Sequence, residues 1–189
     1  MTVNLLNIPG NTGAVLSWLK QFSPVKIQDQ DTLELLEKGE VLVLPGGNAS
    51  GLSALASEQI NTAYRRGVKI FSICGSFQSM FSSSSEDITH RCFLNIFPSN
   101  VKFLGGKPRI GLYEVKSSYY SGKLYFNHFY GIVDQNFDRS FIGNEKYELA
   151  ESDGLIVAVK TKRILAVQFH PELSRGKFDS VFEEWIKEE

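Results

Sequence analysis

Residues 68–80 read VKIFSICGSFQSM: a short apolar run ends on Cys74, and small residues then lead into a stretch that can be helical. A run this short, with aromatic and β-branched side chains, reads as a buried strand rather than a helix. A strand that is apolar throughout is covered on both faces, which is the habit of parallel sheets flanked by helices. Cys74 then stands at the carboxyl end of a strand, where open α/β sheets form their ligand crevice.

The same alternation extends outward. VNLLNI (3–8) predicts another buried strand, and Gly10, Asn11 and Gly13 a turn into a helix carrying Val15, Leu16 and Leu19. DTLELLEKG (31–39) predicts a short helix, with Asp31 or Thr32 as N-cap and Gly39 beyond its end. EVLVLP (40–45) is a further strand, and the glycines of PGGNASG lead to a helix over about 52–66 that Gly67 stops. Downstream, SSSSEDITH (82–90) predicts a polar surface loop. RIGLYEV, KLYFNHF, YELAES, LIVAVK and RILAVQF read as strands, and KFDSVFEEWIKEE as a last helix burying Phe178, Val181, Phe182 and Trp185. Together these predict one α/β domain over residues 1–189, a mixed, mostly parallel sheet flanked by helices.

Composition narrows the function classes. The chain is 42% hydrophobic and 22% charged, with 20 basic against 21 acidic residues, a formal charge of −1. That balance argues against a nucleic-acid groove, which needs a basic surplus. Two cysteines, Cys74 and Cys92, are too few for a disulfide framework. No apolar stretch approaches the roughly 18–20 residues needed to span a bilayer, and MTVNLLNIPG has no signal-peptide pattern. The expectation is a cytoplasmic protein that uses neither membrane nor nucleic acid.

Cys74 has small neighbours, Ser72, Gly75 and Ser76, as a nucleophile on a sharp strand-to-helix elbow requires. Helix N–H groups beside it would favour thiolate. The bland alternative is a buried, inert thiol. A nucleophile needs a base, and the base an orienting group. Of the three histidines, His90 follows the polar loop and reads as surface. His170, in AVQFHPELS, emerges from a strand end, with Pro171 enforcing the turn and Glu172 two residues on to hold the ring. LPGGNASG (44–51) can present N–H donors to an oxyanion from Gly46 or Gly47, and Gly75 can supply another. The G-x-G-x-x-G spacing of a dinucleotide site is absent.

The set LPGG (44–47), Cys74 with Gln78 four residues on, and QFHPELS (168–174), in that order, resembles the class I, or triad-type, glutamine amidotransferases. The resemblance spans nearly the whole chain. It implies the flavodoxin-like fold of that family and hydrolysis of L-glutamine to glutamate and ammonia through a cysteine thioester, without metal or cofactor. Cys74 would be nucleophile, His170 base then acid, and Glu172 the orienting carboxylate. Ammonia would pass to a synthase or cyclase subunit, such as a (β/α)₈ barrel. Within the family, PRIGLYEV (108–115) followed by YFNHFYG (125–131) is most similar to the glutaminase subunits of imidazole glycerol phosphate synthases. That similarity implies Gln78, Phe129 and Tyr130 as glutamine contacts; for Tyr125 and Phe126, core packing is the preferred reading. Relatives of that subunit also serve in amidating surface-sugar precursors, which is a further use the resemblance allows.

The family's usual elbow, Gly-x-Cys-Leu-Gly-x-Gln, is here Ser72-Ile73-Cys74-Gly75-Ser76-Phe77-Gln78, so two glycines have become serine and the leucine glycine. The usual Trp-Asn after the Pro-x-x-Gly segment is Leu112-Tyr113, and the loop NIPGNTG keeps only Gly-Asn of the family's interface loop. The nearest alternative is the glutaminase subunit of pyridoxal phosphate synthase, whose loop continues Gly-Glu-Ser-Thr where this chain has GGNAS. A stand-alone cysteine hydrolase on the same scaffold usually has histidine directly after the cysteine, and Gly75 stands there. A binding module that had lost its chemistry would not retain the full Cys–His–Glu set.

Overall fold

The computed structural model describes residues 2–47, 52–86, 93–137 and 146–188. The four apolar runs that carry the sheet become β1 (Val3–Leu6), β3 (Val41–Leu44), β4 (Lys69–Ile73) and β12 (Ile164–Val167), each buried along its whole length. They pair in parallel, with β2 (Val25–Gln28) on the outer side of β1 and β12 beside β4. The order continues through β11 (Leu155–Lys160), β10 (Glu148–Ser152), β7 (Arg109–Lys116) and β8 (Ser121–His128), all antiparallel. A second branch joins β5 (Phe81–Ser84), β6 (Phe97–Phe103) and β9 (Tyr130–Val133) to β11. This is the expected mixed sheet with a parallel half.

Alternate side chains of the central strands feed two cores. On one face, Leu5, Val43, Phe71 and Val167 pack against α1 (Thr12–Leu19) and α4 (Asp179–Lys187), around an aromatic stack of Trp18, Phe71, Phe182 and Trp185. On the other, Leu6, Leu42, Leu44 and Ile70 meet Ala56, Ile60 and Ala63 of α2 (Ala54–Arg66). That helix begins on a Ser53 cap and ends at Gly67, whose φ of 98° is costly for any other residue. The last helix buries Phe178, Val181, Phe182 and Trp185, as its spacing requires.

Three expectations change. Residues 31–39 do not form an α-helix; a 3-10 turn covers Gln30–Leu35, and Leu36 is already extended. The chain has little length between β2 and β3, and the tighter turn suffices to bury Leu33 and Leu36. The serine run is not wholly loop, because Phe81–Ser84 pairs with β6; residues 87–92, with His90 and Cys92, lie outside the described residues, as does Asn48. The helix after Cys74, α3, has only five residues, Gly75–Ser79, so its free N–H groups matter and its dipole is small. No helix among the described residues is long and apolar enough to cross a membrane.

Candidate active site

Because β12 lies between β4 and β11, the loops leaving the carboxyl ends of β4 and β12 emerge side by side. The Cys74 N–H donates to the Val167 carbonyl at 2.8 Å, which joins the two loops at their roots. Cys74 has φ 49° and ψ −106°, outside the regions an L-residue prefers. Such strain costs on the order of 1–3 kcal/mol and persists only where its surroundings enforce it. Here Ser76, two residues on, is buried, and its Oγ donates to the Pro45 carbonyl at 2.7 Å.

Beyond β12 the HPELS turn brings His170 to the sulfur. Its backbone N–H donates to the Tyr125 carbonyl on β8, and Ser174 clamps the turn, accepting from the Tyr125 N–H and donating to the His170 carbonyl. His170 Nδ1 bonds Glu172 Oε1 at 2.8 Å, with the carboxylate side chain fully buried. Burial works against a charged ring, yet hydrogen bonds with Cys74 and Glu172 outweigh it and raise the His170 pKa to about 10. The two partners thus favour the protonated ring beside the sulfur. Gln168 Nε2 also points at Cys74 Sγ, at 3.7 Å.

The glycine turn closes the other side. A Cβ on Gly46 would sit 3.0 Å from the His170 ring and 3.3 Å from Cys74 Cβ, so any larger residue would push against both. Gly10 lies equally close behind, where a Cβ would be 2.3 Å from the Gly46 carbonyl oxygen. Asn11 joins these parts: its N–H donates to Gly46 O at 2.9 Å, and its side chain to Glu172 Oε1 at 2.6 Å.

The structure thus brings Cys74, His170, Glu172, Gly46 and Gly75 together, with Gly47 adjoining. Gln78 is buried, and its amide donates to the Tyr130 carbonyl and to Gln168 Oε1, so it braces the 125–131 turn from within. His128 Nδ1 donates to the same Tyr130 oxygen at 2.7 Å. Phe129 is exposed, its carbonyl accepting from the Leu104 N–H. Phe126 is fully buried, whereas Tyr125 is half-buried with its ring beside His170. No site role follows from the sequence for Asn11, Gln168 or Ser174, although Asn11 lies in the Gly-Asn of NIPGNTG and the other two lie inside the QFHPELS motif.

An elbow thiol, an imidazolium, a buried carboxylate and glycine N–H groups can together perform acyl transfer from an amide. Comparison with known proteins points the same way. Residues 14–187 match the profile of the family described as glutamine amidotransferase class-I. The chain is 27% identical over 165 residues to the imidazole glycerol phosphate synthase subunit HisH of Corynebacterium diphtheriae, covering 77% of this chain and 79% of that one. It is 26% identical over 181 residues to the pyridoxal 5'-phosphate synthase subunit PdxT of Tropheryma whipplei, covering 93% of each. Among solved structures, one described as a glutamine amidotransferase superposes with TM-score 0.74 at 19% identity, over 97% of this chain and 98% of that one. The acivicin-bound CTPS glutaminase domain of Trypanosoma brucei gives 0.62 at 14%, over 98% of this chain and 92% of its own.

Proposed function

The chain belongs to the class-I glutamine amidotransferase family, and from that premise we propose that it hydrolyses L-glutamine at Cys74 and delivers the ammonia to a synthase subunit. The observation that carries this is the contact of the strained Cys74 with a His170 ring that Glu172 holds in place. The thiolate attacks the side-chain amide carbon of glutamine. The oxygen that becomes negative is met by N–H groups of the Gly46–Gly47 turn and of Gly75. His170 gives its proton to the departing nitrogen, ammonia leaves, and a γ-glutamyl thioester remains on Cys74. Water, deprotonated by His170, attacks the thioester, and the thiolate leaves with glutamate released. Glu172 keeps one ring nitrogen occupied so that the other faces the sulfur.

A synthase partner fits the surface around the site. Ile110 and Leu112 of β7 are more than half exposed, and they share a sheet face with their β8 partners Asn127 and Tyr125, which border the site. Phe129 and Leu173 add exposed apolar area on the two flanking turns. An apolar patch of this kind beside a catalytic cleft marks a docking surface. The PRIGLYEV and YFNHFYG segments favour a partner of the imidazole glycerol phosphate synthase kind. The longer coverage of the PdxT relative keeps the pyridoxal phosphate synthase reading as the second choice.

Treatment with 6-diazo-5-oxo-norleucine, a glutamine-like electrophile, tests the reading by intact mass. One adduct on the wild-type chain and none on Cys74→Ala supports it. If no adduct forms alone or with a synthase subunit that binds the chain, the reading fails.

A further inference from the structure

The serine that replaces the family's glycine two residues after the nucleophile has a specific contact. Ser76 is 3% exposed, and its hydroxyl donates to the carbonyl of Pro45, the residue immediately before the glycine turn. The next carbonyl, Gly46 O, accepts from the Asn11 N–H. Consecutive carbonyls of this turn are thus each tied to a different element, one to the elbow and one to the loop after β1.

That arrangement fixes the donors as well as the acceptors. The described residues contain no cis peptide bond, and in a trans peptide the N–H points opposite to its own C=O. Holding Pro45 O toward Ser76 therefore sets the direction of the Gly46 N–H, and holding Gly46 O toward Asn11 sets that of the Gly47 N–H. A hydrogen bond on the carbonyl also polarises the peptide and makes its N–H a better donor. The Asn11 side chain adds a third tie: it and His170 share Glu172 Oε1, while Glu172 Oε2 is buried without a partner.

We propose that Ser76 and Asn11 are positioning residues, a clamp in which Ser76 aims the oxyanion peptides and the Asn11 side chain fixes the carboxylate behind His170. The role assigned to the Gly46–Gly47 turn rests on the glutaminase reading above. The elbow serine is thus a functional substitution, in which a hydroxyl holds a turn that a glycine at the same place could not hold.

Two reactions of the full chain separate the parts. Glutamine turnover needs the oxyanion donors, whereas alkylation of Cys74 by iodoacetamide needs only the thiolate and its imidazolium. In Ser76→Ala, kcat for glutamine should fall about tenfold, less than outright loss of a donor costs, with KM within about twofold and the alkylation rate unchanged. In Asn11→Ala both reactions should change, and the pH profile of alkylation should move, because Glu172 loses its donor. A Ser76→Ala protein with wild-type turnover, or with turnover and alkylation falling together, overturns the clamp. Amide spectra of 15N-glycine-labelled protein decide independently of glutamine: displaced Gly46 and Gly47 signals in Ser76→Ala uphold the clamp, and unchanged signals reject it. If the wild type turns over no glutamine even with its partner, the glutaminase reading fails while these spectra still judge the clamp.

Discussion

Two turns flank Cys74, each built around a buried histidine, and they treat that histidine oppositely. In the 168–174 turn His170 has a carboxylate two residues away and a sulfur in front, and its pKa is raised to about 10. In the 125–131 turn His128 is pushed down to about 4: burial is the main cause, the hydrogen bond to Tyr130 O opposes it, and the Arg109 and His170 charges add to it. Its Nε2 is buried without a partner, as a neutral ring tolerates and a charged one does not. Similar burial accompanies a ring that favours the charged form in one turn and a ring that favours the neutral form in the other. The neighbours decide: one ring is set between a carboxylate and a thiol, the other against a backbone carbonyl.

The largest test of that division is Glu172→Gln. It keeps the shape and removes the charge that holds His170, and turnover should drop on the order of a thousandfold or more, as loss of an orienting carboxylate does elsewhere. A loss under tenfold would mean that the turn does not depend on its carboxylate.

His128→Phe sharpens the comparison from the other side. The tie to Tyr130 O is lost, so KM for glutamine should rise by about tenfold while kcat stays within about twofold. If kcat collapses instead, His128 belongs with the chemistry.

A third, smaller effect is on stability. His128 has a lower pKa folded than unfolded, so the unfolded chain binds more protons between about pH 6.5 and about pH 4, and stability falls as pH drops through that window. His170 has the raised folded pKa, so its contribution is complete below about pH 6.5 and is lost as pH rises toward about 10. The difference between the urea midpoints of wild type and His128→Phe should therefore change with pH only on the acid side. Parallel curves would refute the assignment of a neutral His128.

The smallest effect on the isolated chain is expected from Leu112→Asp. The side chain is exposed, so unfolding free energy should stay within about 0.5 kcal/mol. Its influence should appear only as weaker stimulation of turnover by a synthase partner. A large loss of stability would show Leu112 to be structural.

Much of this could be read along the chain because the informative residues are close together in it. VLVL, KIFSI and ILAV are buried runs, and each became a strand. The histidine and its carboxylate are two residues apart, so their pairing was visible in HPE alone. The edge strand VKIQ is half exposed and carries no such pattern, which is why β2 went unread. The strands β6 and β9 also lack a local signal, because they complete a side branch whose pairing is set at a distance.

By itself the sequence determined the alternation of buried strands and amphipathic helices, the family, the strand-end place of Cys74 and the pairing of His170 with Glu172, since each is specified by residues within one turn or one strand. Only the tertiary structure decided what surrounds them. Asn11 meets Glu172 across 161 residues, Gln78 meets Gln168 across 90, and Ser76 meets Pro45 across 31. The last of these follows from the direct pairing of β3 with β4, and the first two exist because β12 enters the sheet between β4 and β11; no local preference of the chain encodes where a late strand will be inserted.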